Sequence, residues 1–248
     1  MKFKDILKEN IEKNNIVLGK RDHELLKVNI DEYPSIVITG ETGSGKSILL
    51  DEIILQLITK YTSEELRLVL IDSTGVELNY YKDTNYHLLS ALNDDNKAIE
   101  VLGKVLEEVD RRKHILEDNS VSSIEEFNTK FNHHIPKLMI AMDDISGIIN
   151  KDDVSKMLKT ILDSIKNLNM FFCLATNDPY NKLFKKDDNL LASILISFDT
   201  ATSDEAVITN MPFSNDLLTG RFIIYKDNDY EEYKNLKFDD KIIKQIVD

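Results

Sequence analysis

A glycine-rich octapeptide separates two apolar segments of the chain, and it reads Gly40-Glu41-Thr42-Gly43-Ser44-Gly45-Lys46-Ser47. It fits the pattern G-x-x-x-x-G-K-[ST] at every position. A β-branched apolar run, Ser35–Thr39, precedes it, and apolar residues recur at helical spacing over residues 47–60 after it. A strand, a glycine-rich loop and a helix in this order are typical of a phosphate-binding loop. We therefore predict that the octapeptide binds nucleotide phosphates, the alternative being a glycine-rich turn with a chance lysine.

The residue types of the octapeptide suit phosphate chemistry. Glycines let successive backbone N–H groups point at phosphate oxygens, and the N-terminus of the following helix adds its positive dipole end. We expect Lys46 to reach the β- and γ-phosphates and the Ser47 hydroxyl to ligate Mg²⁺. The predicted nucleotide-binding residues are Gly40, Thr42, Gly43, Ser44, Gly45, Lys46, Ser47 and Ile48.

Polar residues also follow two later apolar strands. Asp143 and Asp144 come directly after the run 138–142, and Asn177 follows the run 171–175. Asp143 suits the Mg²⁺ contact, Asp144 is placed to polarise an attacking water, and Asn177 is placed to position that water. The alternatives are a solvated loop start for the two carboxylates and ordinary turn chemistry for the asparagine. The predicted catalytic residues are Lys46, Asp144 and Asn177, and the predicted metal ligands are Ser47 and Asp143.

The composition limits the class of protein. The 248 residues include 31 Lys and Arg and 44 Asp and Glu, which gives a net charge of −13. Such an acidic chain does not bind nucleic acid over its whole surface, although a local basic patch stays open. No apolar stretch approaches the ~18 residues of a membrane span and no signal peptide is evident, so we predict a cytoplasmic location. Cys173 is the only cysteine, which excludes an intramolecular disulfide and a CxxC-type zinc site.

Strands alternate with helices along the chain. After a short amphipathic helix in the first dozen residues, the segments 16–20 and 25–30 indicate a small β-hairpin. The remaining alternation predicts an α/β fold with a mainly parallel sheet and helices on both faces. We divide the chain into an N-terminal helix and hairpin, residues 1–34, packed on a core of residues 35–248.

The order of the motifs resembles the motor domain of the FtsK/SpoIIIE family of bacterial translocases. The similar segments are Val17-Leu18-Gly19-Lys20, residues 35–50, residues 70–78, His87-Leu88-Leu89, residues 107–112, residues 124–128, Met142-Asp143-Asp144 and residues 174–179. The resemblance implies a RecA-like P-loop NTPase core that uses ATP and Mg²⁺. It also implies a ring-shaped homohexamer with ATP at subunit interfaces, which threads double-stranded DNA in segregation or conjugative transfer. Related domains serve type VII protein secretion, and residues 75–78 favour the DNA-handling branch.

The resemblance has departures that bear on hydrolysis. Asp144 stands where the family has Glu, Asn177 stands where it has Gln, and the expected interface arginines are replaced. An alternative is therefore a degenerate ATPase that binds ATP with little hydrolysis, as an assembly or regulatory module in DNA transfer or type VII secretion. Arg111 and Arg112 are candidates for a contact to a neighbouring subunit, or else form a solvated helix face with nearby glutamates.

Lys185 and Lys186 are the predicted DNA contacts, in a loop that follows the apolar run 171–175, which is the fourth predicted core strand. The family's membrane anchor, accessory domain and winged-helix tail are not found in this sequence. We therefore expect either an excised motor domain or a stand-alone homologue, which in the cell could meet the membrane through missing segments or a membrane-anchored partner.

Overall fold

The computed structural model describes residues 3–7, 12–177, 192–199, 220–227, 229–236, 243 and 246. Within these residues, ten strands form one sheet in the order β2-β1-β10-β9-β8-β3-β7-β6-β4-β5. The strands are β1 Asn15–Arg21, β2 Glu24–Asn29, β3 Ser35–Thr39, β4 Leu66–Asp72, β5 His87–Leu92, β6 Lys137–Asp143, β7 Met170–Thr176, β8 Ile194–Ser197, β9 Arg221–Lys226 and β10 Asp229–Lys234. The α-helices are α1 Phe3–Ile6, α2 Lys46–Lys60, α3 Asp95–Asn119, α4 Ile124–Phe131, α5 Ser146–Ile149 and α6 Asp152–Ser164, and Leu78–Tyr81 forms a 3₁₀ helix.

The larger part of the sheet, from β8 through β3 to β5, is parallel. Strand β3 pairs in parallel with both β7 and β8, and the parallel order continues through β6 and β4 to β5. Strands β3, β6 and β7 are buried along their whole length, as expected for parallel strands covered on both faces. Their carboxyl ends therefore meet at one edge of the sheet.

The smaller part of the sheet, from β2 to β8, is antiparallel. The predicted hairpin forms as β1 and β2, and β1 joins the sheet through β10. Strand β10 was not predicted, because its sequence, Asp-Tyr-Glu-Glu-Tyr-Lys, is dominated by charge. It forms because it completes the backbone hydrogen bonds of β9 and β1, and because Tyr233 is buried against Phe222.

Helices cover both faces of the sheet. Helix α2 packs on one face, where its leucines and isoleucines join Ile36 and Ile38 of β3. Helices α3 and α6 pack on the other face, where they meet Val37 of the same strand. The predicted α/β class with a mainly parallel sheet, helices on both faces and an N-terminal hairpin is thus confirmed. Within the described residues, no helix has the length and apolar character required to cross a membrane.

Candidate nucleotide-binding site

The loops after four parallel strands meet around one cavity of about 620 Å³ at the carboxyl edge of the sheet. The octapeptide follows β3, Thr74 follows β4, the Asp143–Asp144 pair ends β6 and Asn177 follows β7. The cavity is lined by Thr42, Gly43, Gly45, Lys46, Ser47, Ile48, Asp51, Thr74, Glu77, Tyr80, Asp143, Asp144, Asn177 and Ile243. Residues that are more than 100 positions apart in the sequence therefore face one space.

The octapeptide has a backbone that only glycine adopts without strain at several positions. Gly40, Gly43 and Gly45 have φ angles of 144°, 81° and 117°. A Cβ atom on Gly40 would lie 2.7 Å from the Cβ atom of Phe198, so the loop also packs too closely against the sheet for a side chain there. The three glycines thus fix the curled loop that presents its amides to the cavity.

Helix α2 begins at the cavity. Gly45 is its N-cap, and no acidic residue occurs in its first turn. The backbone N–H groups of Lys46, Ser47 and Ile48 belong to this first turn, where the helix itself supplies no acceptor. Amides of this kind, together with the positive end of the helix dipole, form an anion site.

Lys46 is buried, and its Nζ atom donates a hydrogen bond to the Glu41 carbonyl oxygen at 2.6 Å. Burial lowers the pKa of Lys46, and the carboxylates of Asp143 and Asp144 oppose that shift. The ammonium group is therefore held between the loop and the two carboxylates. A phosphate group in the cavity would give this buried cation a further anionic partner.

Asp143 is 4% exposed, and burial raises its pKa to about 7 against the opposing hydrogen bond from Ser47. Asp72 and Glu77 raise the pKa further by repulsion. Its Oδ2 atom has no hydrogen-bond partner among the described residues. A hydroxyl and a carboxylate oxygen are ligands that suit Mg²⁺. In the described part of the chain no three His, Cys, Asp or Glu residues could hold a metal by themselves, so Mg²⁺ at Ser47 and Asp143 would also need phosphate oxygens and water.

Asp144 and Asn177 lie side by side at the ends of neighbouring strands. Asp144 has a φ angle of 43°, and its N–H donates to the Ala175 carbonyl at 3.1 Å. This left-handed conformation turns the chain at the end of β6 and leaves Asp144 on the cavity wall. Asn177 lines the same wall, so both side chains face the space beside Lys46.

The β4 loop adds cavity residues that were not predicted, namely Thr74, Glu77 and Tyr80. Buried Asp72 holds this loop, because its Oδ1 atom accepts from the Thr74 N–H, the Thr74 hydroxyl and the Gly75 N–H at 2.7–3.0 Å. Its Oδ2 atom accepts from the Leu78 N–H at 3.1 Å. The sequence signal was an aspartate that ends a buried strand and precedes Ser-Thr-Gly, a pattern of a side-chain-capped turn.

Two more cavity residues were missed for different reasons. Asp51 lies one helical turn beyond Ile48 on α2, where it accepts a hydrogen bond from the Tyr81 hydroxyl at 2.7 Å. Its helical spacing from the octapeptide was the available signal. Ile243 lies far along the chain, and no local pattern marks it.

Nine of the predicted site residues line the cavity, namely Thr42, Gly43, Gly45, Lys46, Ser47, Ile48, Asp143, Asp144 and Asn177. Gly40 and Ser44 belong to the loop but do not line it, since Gly40 packs on Phe198 and the Ser44 side chain is buried. Lys185 and Lys186 lie outside the described residues.

Arg112 fits neither of its two predicted roles, a contact to a neighbouring subunit or a place on a solvated helix face, whereas Arg111 fits the second. The Arg112 side chain is 2% exposed, and it donates to the carbonyl oxygens of Pro136, Leu168 and Asn169. Arg111 is half exposed and pairs with Glu108 at 2.7 Å. The guanidinium group of Arg112 therefore makes its hydrogen bonds within its own chain.

Comparisons with known proteins agree with this geometry. The sequence model of the FtsK/SpoIIIE family matches residues 6–178. A DNA translocase FtsK from Clostridium tetani is 27% identical over 158 residues, which is 61% of this chain and 21% of that protein. Another, from Caldanaerobacter subterraneus subsp. tengcongensis, is 28% identical over 154 residues, 61% of this chain and 22% of that protein. The chain thus spans about a fifth of the length of these curated relatives.

Solved structures share the fold. The conjugation coupling protein TcpA of pCW3, determined as a monomer with ATPγS, has a TM-score of 0.82 and 19% identity over 98% of this chain and 72% of that one. ATPases 2 and 3 of EssC from Geobacillus thermodenitrificans have a TM-score of 0.79 and 21% identity over 94% of this chain and 47% of that one. Since the family match covers well over half of the sequence, the chain belongs to the FtsK/SpoIIIE family.

Proposed function

We propose that the chain binds ATP together with Mg²⁺ and hydrolyses it to drive the movement of double-stranded DNA. The observation that carries this proposal is the single cavity that gathers Lys46, Ser47, Asp143, Asp144 and Asn177 at the start of helix α2. A cationic side chain, main-chain amides and two carboxylates are the parts that phosphoryl transfer needs. The chain's membership of a family with curated DNA translocases supports DNA as the cargo.

Each side chain has a defined part in this proposal. Lys46 and the first-turn amides of α2 bind the phosphates, while Ser47 and Asp143 hold Mg²⁺, which neutralises charge on the phosphate oxygens when bound. Asp144 accepts a proton from the attacking water, and Asn177 orients that water. Both reach from the carboxyl ends of adjacent strands, so their spacing is set by the sheet.

The side chain of Asp144 is one methylene shorter than the glutamate expected from the family resemblance. A misplacement of roughly 1 Å can cost about 10²-fold in rate. We therefore expect slow hydrolysis by the isolated chain, with acceleration when neighbouring subunits and DNA complete the site. A homo-oligomer, with a hexameric ring as the expected form, is part of the proposal, as is a cytoplasmic location.

The test is steady-state phosphate release, measured with and without duplex DNA, for wild type, Lys46→Ala and Asp144→Asn. We expect DNA to raise wild-type turnover, and Lys46→Ala to lose ATP binding in calorimetry because the buried cation is removed. Asp144→Asn should keep ATP binding and lose roughly 10²- to 10⁴-fold in turnover, the range for removal of a general base.

Two results would contradict the motor proposal. Tight ATP binding without turnover, whether or not DNA is present, would instead make the chain a nucleotide-dependent assembly module. Turnover unaffected by Asp144→Asn would exclude Asp144 from water activation.

A further inference from the structure

The cavity is larger and less polar than a phosphate site requires. Its polar part is formed by Lys46, Ser47, Asp143, Asp144 and Asn177, as described above. We call six further lining residues its second part, namely Ile48, Asp51, Thr74, Glu77, Tyr80 and Ile243. At about 620 Å³ the whole cavity has the volume of a site for a complete small molecule.

Two side chains of the second part are apolar and exposed. Ile48 is 41% exposed although eleven of the fifteen residues of α2 are buried, and Tyr80 is 46% exposed. Most large apolar side chains of the described residues are buried, so exposed ones that share a cavity wall are informative. Exposed apolar surface inside a cavity is typical of ligand contact.

Tyr80 is held rigidly although its ring is exposed. It belongs to the 3₁₀ helix Leu78–Tyr81. The residue at the start of this helix, Leu78, donates its N–H to buried Asp72, and the residue at its end, Tyr81, is buried and bonded to Asp51 of α2. The short helix is thus tied at both ends, to β4 and to α2, and presents Tyr80 from a fixed frame.

The position of this second part relates it to the phosphate loop. Ile48 follows Lys46 and Ser47 directly in the first turn of α2, and Asp51 follows one turn later. Tyr80 lines the same cavity from the 3₁₀ helix, so a ligand whose phosphates bind at the start of α2 shares this space with both Ile48 and Tyr80. An aromatic base is the part of a nucleotide that gains from an exposed tyrosine ring and an isoleucine.

We propose that Tyr80 and Ile48 form the nucleoside subsite, in which the Tyr80 ring stacks on the base of the bound nucleotide. This inference rests on the proposed function, because it assumes that the octapeptide binds the phosphates. It differs from that function in assigning base recognition to the β4 loop and to the outer face of α2.

The test compares ATP with inorganic tripolyphosphate, which has the phosphates and lacks the base. Both are titrated with Mg²⁺ into wild type, Tyr80→Ala and Tyr80→Phe by calorimetry. We expect Tyr80→Ala to weaken ATP binding roughly 5- to 100-fold, the range for loss of one base–aromatic stack, and to leave tripolyphosphate binding unchanged. Tyr80→Phe keeps the ring and should bind both as wild type does.

Tyr230→Ala is the matched control, because Tyr230 is an exposed tyrosine on β10 that does not line the cavity. Unchanged ATP binding by Tyr80→Ala, or an equal loss for tripolyphosphate, would overturn the subsite while leaving the phosphate site intact. An ATP effect that disappears where sedimentation shows a monomer would also overturn it, by assigning the ring to a subunit contact. If wild type binds neither compound, the proposed function itself fails.

Discussion

Two polar side chains on the same face of α2 are buried in the core, and only one of them has hydrogen-bond partners. Gln56 is fully satisfied, since its Oε1 atom accepts from the Val17 N–H at 2.7 Å and its Nε2 atom donates to the Val17 carbonyl at 2.9 Å. Glu52, one turn earlier, is equally buried, and neither of its carboxyl oxygens has a hydrogen-bond partner in the described chain. Gln56 thus anchors α2 to β1, whereas Glu52 carries an uncompensated desolvation cost.

We predict that Glu52→Met stabilises the protein, and increasingly so as the pH rises. Burial, with repulsion from Asp51, raises the pKa of Glu52 well above its usual value. The folded state therefore binds more protons than the unfolded state above about pH 4.3, so this carboxyl lowers wild-type stability as pH increases. Urea unfolding at pH 5, 6.5 and 8 should show a gap between variant and wild type that widens by at most about 1.4 kcal/mol per pH unit.

Glu107→Met is the control for this measurement, because Glu107 is exposed on α3. Its stability difference from wild type should be small and nearly independent of pH. A Glu52→Met variant that is less stable than wild type at pH 8 would contradict the interpretation that the buried Glu52 carboxyl destabilises the folded state.

At the scale of the elements, Arg112 binds helix α3 to the residues that precede strands β6 and β7, at the end of the sheet opposite the cavity. The guanidinium group satisfies three carbonyl oxygens, at positions 136, 168 and 169, and also pairs with Glu108 at 2.7 Å. We predict that Arg112→Met lowers the free energy of unfolding by about 3 kcal/mol, because it leaves these buried acceptors without donors. Arg111→Met, at the exposed neighbouring position, should change it by less than about 0.5 kcal/mol. Equal urea midpoints for the two variants would contradict this role.

The phosphate loop is supported from outside by the β9–β10 hairpin. Just before β9, the N–H of Gly220 donates to the Ser44 carbonyl, and just after β10, the Asn235 side chain donates to the Gly45 carbonyl, both at 3.3 Å. The Asn235 N–H in turn donates to the Gly220 carbonyl at 2.8 Å. Asn235 therefore connects both ends of the hairpin to two consecutive peptides of the loop.

We predict that Asn235→Ala weakens ATP binding roughly threefold to tenfold, because the loop loses one positioning hydrogen bond worth about 1 kcal/mol. Calorimetric titration with Mg²⁺ and ATP measures the change. Lys234→Ala, at the exposed neighbouring position of β10, should bind as wild type does. Equal affinities for the two variants would show that the hairpin does not position the loop.

The elements show which features local sequence could predict. Strand β3, the octapeptide and α2 were predictable because β-branched residues, glycines and helical spacing each act locally. Strand β5 was missed because it pairs only with β4, so it is half exposed and lacks a continuous apolar run. Strand β10 pairs along its length with the adjacent strand β9, but its charged sequence conceals this hairpin. The support from Asn235 depends on a partner 190 residues away, and no local pattern encodes it.

At the scale of the whole molecule, local sequence likewise predicts only part of the site, because it does not encode contacts between distant segments. The motif residues on the cavity wall were predicted because parallel strands bring their carboxyl ends to one edge. Tyr80 and Ile243 were not, since an exposed tyrosine or a single isoleucine has no distinctive neighbours in sequence. They share a cavity with Lys46 because the fold brings the 3₁₀ helix and Ile243 to the carboxyl edge of the sheet.

The charge of the whole chain governs how it would bind DNA. A net charge of −13 repels the phosphate backbone, so affinity must come from few local cations and must depend weakly on salt for each subunit. Lys185 and Lys186 are the predicted contacts, and the slope of log affinity against log salt changes by about 0.9 per phosphate neutralised.

We therefore predict that the double variant Lys185→Ala and Lys186→Ala reduces this slope by at most about 2 and abolishes the stimulation of ATP turnover by DNA, while DNA-free turnover stays unchanged. Fluorescence anisotropy with a labelled duplex at several salt concentrations measures the slope. The control pair, Lys156→Ala and Lys159→Ala, removes the same charge from exposed positions of α6. If both pairs weaken binding equally, the effect is one of net charge, and the two lysines after the fourth core strand do not form a DNA contact.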